Sequence, residues 1–133
     1  YGRFYTWDEM TAGLKPLTAQ NDFNFLNMES VVTDRKDLST DQKFSQRSHP
    51  AGLEHLIRNV GFNLISAANN HATDFGQEGL NESYKNLTRL EKELPFSFSG
   101  IGTLRDLSPP EIINYKGFRI AFAAIGMKGD GRE

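Results

Sequence analysis

Gly61-Phe62-Asn63-Leu64-Ile65-Ser66-Ala67-Ala68-Asn69-Asn70-His71-Ala72-Thr73-Asp74-Phe75-Gly76 is the stretch that decides the fold. Its first half is a short apolar run that predicts a strand over residues 63–68, bounded by turn-forming residues. Its second half is polar and leads into a segment where Leu80, Tyr84, Leu87 and Leu90 share one helical face, predicting a helix over residues 77–93. Pro95 ends that helix, because proline disfavours helical geometry in the residue before it. Upstream, Leu53, Leu56, Ile57 and Val60 fall at i, i+3, i+4 and i+7 and predict a helix over residues 51–60. Pro50 stands just before this helix, and Gly61 sits where a C-cap is expected.

Further apolar runs predict strands at residues 23–27, 96–99, 111–115 and 118–125. The last two flank Lys116-Gly117 and read as a tight hairpin. A weaker helix is expected over residues 7–18, interrupted near Pro16, and residues 34–46 read as a long exposed loop. Strands alternating with helices imply βαβ crossovers, so the expected class is α/β with a largely parallel sheet and a C-terminal β-hairpin.

Composition narrows the function. The 133 residues suit a single α/β domain, 1–133, with a core that removes roughly two-thirds of the unfolded surface from water. Fifteen Lys and Arg against 17 Asp and Glu give a net charge of −2, which argues against a nucleic-acid partner held by bulk charge. There is no cysteine, so disulfides, thiolate metal sites and thiol nucleophiles are excluded. No apolar run approaches the ~18 residues of a membrane helix. The chain opens at Tyr1 and stops soon after a strand-like run, so it is expected to be a piece of a longer protein.

In an open parallel sheet, ligands bind beyond the carboxyl ends of the strands. One such end carries Asn27-Met28-Glu29-Ser30, and the next carries Asn69-Asn70-His71 through Gly76. Carboxylate, amide and imidazole groups gathered there suit divalent metals that take oxygen and nitrogen ligands. Each residue also has a structural role open to it. Asp74 stands three before Gln77, the spacing of a helix N-cap in a capping box. Asn69 and Asn70 suit turns, Glu29 suits a solvated strand end, and Gly76 and Gly79 suit a tight helix entry. Ser48 or His49 suits the cap of the helix after Pro50, and His49 can alternatively face the strand ends. Gly100-Ile101-Gly102 lacks the remainder of a dinucleotide fingerprint and reads as a turn. The sequons at Asn81 and Asn86 fall inside the predicted helix and read as chance.

Taken together, Asn27-Met28-Glu29 resembles an Asn-Leu-Glu motif, and residues 68–80 resemble an Ala-Asn-Asn-His-x-x-Asp-x-Gly-x-x-Gly block. Gly61-Phe62-Asn63 before that block, and Ser99-Gly100-Ile101-Gly102 and the hairpin after it, follow in matching order. The pattern, from about residue 22 to residue 125, is similar to the bacterial capsule synthesis family, the CapA/PgsA-like poly-γ-glutamate biosynthesis proteins. Met28 for Leu is an apolar exchange of similar volume.

The resemblance implies a layered sandwich like that of calcineurin-type metallophosphoesterases, here incomplete. It implies Glu29 and Asn70 as metal ligands and His71 as general acid or as donor to the attacked group. Asp74 would orient His71 or cap the helix behind it, and Asn27 and Asn69 would bind substrate. The cofactor implied is a divalent Mn, Zn or Mg ion in the parent chain. The family's opening Gly-Asp motif and its later histidines are not among these residues, so a weak, open metal site and an inactive fragment are expected. The implied activity is that of a metal-dependent hydrolase or transferase in envelope polymer assembly. Its expected partners are an anionic polymer or phosphoester and capsule synthesis or export proteins. It would act on the outer face of the bacterial membrane, reached through an anchor outside this stretch. The alternative is a non-catalytic polymer-binding or scaffold subunit. Arg35, Lys36, Lys43 and Arg47 would supply a basic patch for a polyanion, or simply a solvated face.

Overall fold

The computed structural model describes residues 4–102 and 110–126. Two short helices, α1 (Trp7–Thr11) and α2 (Lys15–Thr18), precede strand β1 (Phe25–Asn27). The expected interruption near Pro16 is present. Pro16 occupies the first turn of α2, where its missing N–H costs nothing, and the break falls at residues 12–14. Strands β2 (Val31–Val32) and β3 (Arg47–Ser48) follow, then α3 (Pro50–His55), whose last turn continues as a π-helical turn over Leu56–Val60. Gly61, at φ 93°, closes that helix in the left-handed conformation. Next come β4 (Leu64–Ser66), α4 (Gly76–Glu91), β5 (Ser97–Ser99), β6 (Glu111–Tyr115) and β7 (Phe118–Phe122). Among the described residues no helix is long and apolar enough to cross a membrane.

The expected α/β architecture is present. β1, β4 and β5 form a parallel sheet in that order, with Leu26, Ile65 and Phe98 in register across its centre. Alternate side chains leave a strand on opposite faces, so these three point to one side. There they meet Leu87 and Leu90 of α4 and Leu53 and Ile57 from the α3 segment in a single core cluster. Leu87 and Leu90 are fully buried, so truncating either to alanine would cost about 2–5 kcal/mol.

The pair β2–β3 is a separate two-stranded parallel ladder that the sequence did not signal. Its Val32 is bonded on the far side by a helix. The Ser83 hydroxyl accepts from Val32 N–H at 2.8 Å, and the Asn86 amide donates to its carbonyl at 3.0 Å. Residues of both sequons thus replace a missing neighbour strand, which satisfies the buried backbone of β2.

The hairpin β6–β7 turns at Lys116 and Gly117, both at positive φ, as a type I′ turn requires. It touches β1 through Phe23 against Tyr115 and Phe25 against Phe122. Asp22 ties the hairpin down by accepting from the Tyr115 hydroxyl and from Lys116 at 3.3 Å. These two donors hold the Asp22 carboxyl below its usual range.

Candidate active site

The carboxyl ends of β1 and β4 are tied together by one side chain. Asn69 donates its amide to the Met28 carbonyl at 2.9 Å, while its oxygen accepts from His71 N–H at 3.0 Å. The second bond is a local turn of the kind Asn forms two residues ahead of itself. Beyond it the chain coils tightly, with Asp74 N–H bonded to His71 carbonyl at 3.2 Å and Gly76 N–H to Thr73 carbonyl at 2.9 Å. Gly76, at φ 61°, turns the chain into α4. Gly100, at the end of β5, has φ 106°, and a Cβ there would lie 2.4 Å from the Ala68 Cβ. Only glycine lets these two strand ends approach so closely.

This coil places His71 beside Asp74. The His71 Nδ1 lies 2.8 Å from the Asp74 Oδ2, and the same oxygen accepts from Gln46 N–H at 2.7 Å. The Thr40 hydroxyl donates to the Asp74 backbone carbonyl. Asp74 is 5% exposed, so its carboxylate is held by these partners rather than by water. It does not cap α4: the N-cap position is Phe75, with no side-chain cap bond. The capping-box spacing misleads because the bond to His71 claims the carboxylate first.

The network also sets the imidazole. A carboxylate can only accept, so Nδ1 carries the hydrogen and, in the neutral ring, Nε2 is left with its lone pair. Nε2 lies 3.3 Å from the Gln46 amide nitrogen, which donates to it near the surface. Gln46 was missed by sequence reasoning, since a glutamine in a polar loop carries no periodic or spacing signal. The loop around it is exposed as expected, except where Leu38 is buried against Val31 and Phe75.

The other candidate residues are placed differently. Asn27 donates to Glu29 Oε2 at 3.3 Å, so these two are neighbours on the exposed end of β1. Asn70 is exposed in the turn before His71. No hydrogen bond or ion pair joins Glu29, Asn70 and His71 among the described residues. His49 caps α3, accepting from Ala51 N–H through Nδ1 at 3.1 Å.

A divalent metal needs several converging donors. Among the described residues, no three His, Asp or Glu side chains group closely enough to hold an ion. His71 Nδ1 is taken by Asp74, which leaves Nε2 as the ring's donor to any ion, and the Glu29 carboxylate accepts from Asn27. Glu29 and His71 therefore have no third acidic or histidine side chain grouped with them among the described residues.

Of the expected basic patch, only Arg35 is neutralised by carboxylates among the described residues. Arg35 pairs with Asp37 at 2.6 Å and Glu78 at 2.5 Å, which raises its own pKa and holds the Asp37 carboxyl down to about 2. Arg47 donates to the Arg35 carbonyl and lies over the Phe75 ring at 4.6 Å.

Fold and site together define an α/β domain with a histidine–aspartate pair at the carboxyl edge of a parallel sheet. The model of the bacterial capsule synthesis protein family PGA_cap matches residues 2–132, and the chain belongs to that family. The capsule biosynthesis protein CapA of Bacillus anthracis is 27% identical over 121 residues, covering 88% of this chain. The chain spans 28% of the length of that relative.

Proposed function

We propose that this chain carries the proton-transfer part of the active site of a hydrolase or transferase acting on a cell-envelope polymer. The observation that carries the reading is the His71 ring, fixed by a buried carboxylate on one side and reachable at Nε2 on the other. His71 Nε2 takes the proton of an attacking water or hydroxyl, or returns one to the leaving oxygen. Asp74 keeps Nδ1 protonated and stabilises the imidazolium while it lasts, the orienting role that a carboxylate behind a catalytic histidine performs. The Gln46 amide holds the Nε2 lone pair in the resting state and yields it to substrate. Asn69 fixes the backbone of His71 against the end of β1, so the ring is held by the sheet rather than by a mobile loop.

The capsule family and the name of the Bacillus anthracis relative support an envelope polymer as the substrate. Phosphoester or γ-glutamyl chemistry both suit a histidine that moves protons at a leaving oxygen or nitrogen. Any metal would need ligands beyond Glu29, Asn70 and His71, and no step above passes through one.

The experiment is a turnover assay of the full-length gene product on phosphoesters and on poly-γ-glutamate, with His71→Ala and Asp74→Asn. General acid–base catalysis contributes about 10²–10⁴-fold, so His71→Ala should lose that much in kcat, with Asp74→Asn falling in between. Full activity in His71→Ala would refute the proposed role of His71, and no turnover by the unaltered protein would leave a polymer-binding or scaffold subunit.

A further inference from the structure

A second cleft, of about 270 Å³, lies between α1 and the end of β1. Its wall includes Trp7, Met10, Met28, Leu53, His49 and His55. The volume falls just below the ~300–1,000 Å³ that drug-sized ligands fill, so it holds one ring-sized group rather than a long chain.

Its polar equipment is specific. His55 is only 9% exposed, and its Nε2 lies 3.0 Å from the Thr11 hydroxyl. Thr11 spends its own hydrogen on the Trp7 carbonyl at 2.7 Å, so it accepts from His55 Nε2. In the neutral ring that leaves Nδ1 as a bare acceptor, and it has no hydrogen-bond partner among the described residues. Nδ1 is not among the buried atoms left without a partner, so it stays open to solvent and can accept from a ligand that displaces water. His49, on the same wall, uses Nδ1 to cap α3, which leaves its Nε2–H free to donate.

The apolar equipment is an aromatic platform. The Trp7 ring lies 5.9 Å from the His55 ring and 3.6 Å from where a Cβ of Gly52 would be, so the missing side chain makes room for it. Trp7 nonetheless remains 43% exposed, so part of the indole is open. A reciprocal capping box between Thr6 and Glu9 anchors the first turn of α1 and hence the position of Trp7. No Lys, Arg, Asp or Glu lines this cleft.

We infer that the cleft binds a neutral pyranose ring. The apolar face of the sugar lies on Trp7, a ring hydroxyl donates to His55 Nδ1, and another accepts from His49 Nε2. A hydroxylated ring has an apolar face and both hydrogen-bonding senses in one compact unit, which neither an alkyl chain nor a polyanion offers. Met28 lines the cleft and gives its carbonyl to Asn69, which joins the cleft to the His71 turn without sharing its chemistry.

Trp7 is the single tryptophan of the chain, so its fluorescence reports on this cleft alone. Methyl α-glucopyranoside and diacetylchitobiose are titrated, with hexanol as an alkyl control, and binding is checked by saturation-transfer NMR on the sugar. Saturable binding of at least one sugar is expected. His55→Phe, which keeps a ring against Trp7 but removes the acceptor, should weaken it about five- to tenfold, the worth of one hydrogen bond. Trp7→Ala, at a partly exposed position, should abolish the NMR signal even if His55→Phe fails to fold. His71→Ala should leave sugar affinity unchanged, which separates this inference from the catalytic proposal. The inference is overturned by the absence of saturable binding of either sugar, by a response to hexanol alone, by unchanged affinity in Trp7→Ala, or by loss of sugar binding in His71→Ala.

Discussion

Replacing Asp74 by serine separates two roles for that carboxylate. A helix cap is indifferent to the exchange, because Ser caps about as well as Asp. The hydrogen-bond geometry is not indifferent, since the serine hydroxyl is too short to reach both His71 Nδ1 and Gln46 N–H. Hydrogen bonds to charged groups contribute about 1.5–3 kcal/mol each. Gln46 and the edge of His71 can recover water when the carboxylate is removed, so the two losses together should come to about 2–3 kcal/mol. For a domain of this length that is about 6–15 °C in Tm. Asp74→Asn keeps an oxygen for both donors and loses only the charge, so it should cost about half as much. Urea unfolding followed by circular dichroism reads both variants. An Asp74→Ser stability within ~0.5 kcal/mol of the parent would refute the reasoning and return Asp74 to the helix cap.

Gly100→Ala should destabilise by more than ~2 kcal/mol in the same urea assay, since the new Cβ meets Ala68 at 2.4 Å in a left-handed backbone. A neutral result would mean the β4 and β5 ends are further apart than described. The Asp22 carboxyl is held below its unfolded value by Tyr115 and Lys116, so its contribution is present above the ordinary carboxylate range and is lost as pH falls through the lowered folded value. Amide exchange in β6 and β7 should therefore accelerate in acid, and Asp22→Asn should exchange faster already at neutral pH. Equal rates in the two proteins would show that Asp22 does not tether the hairpin. Millimolar Mn²⁺ or Zn²⁺ should leave the Tm of this chain within ~1 °C, because among the described residues no three His, Asp or Glu side chains group to hold an ion. Saturation at 100 times Kd would instead add about 2.7 kcal/mol, a shift of several degrees that would contradict the donor geometry.

Much of the frame was legible because it follows from hydrophobic period. Leu53 and Ile57 of the first stripe and Leu87 and Leu90 of the second face the core, while Leu56 lines the cleft beside α1, and the runs around Leu26, Ile65 and Phe98 became the sheet. The pair β2–β3 was not legible, because two residues per strand give no alternation to read, and Val32 is satisfied partly by side chains of a distant helix. The π-helical turn at Leu56–Val60 leaves the same apolar stripe as an α-helix and so has no separate signature. At the site, sequence position located the strand ends but not the partners. Asp74 had two compatible roles three residues apart on either side, His71 behind and Gln77 ahead. Only the tertiary approach of Gln46, 28 residues away, shows which one the carboxylate serves. Trp7 and His55 were passed over because their meeting depends on how α1 lies across α3.

The account rests on which nitrogen of His71 carries the proton. Long-range ¹H–¹⁵N correlation spectra of the neutral imidazole read this directly. The Asp74 contact predicts the Nδ1–H form, the reverse of what an unrestrained histidine favours, with a shift back toward Nε2–H in Asp74→Ala. An Nε2–H ring in the unaltered protein would contradict the account, because the lone pair would then face Asp74 and no base would face the substrate.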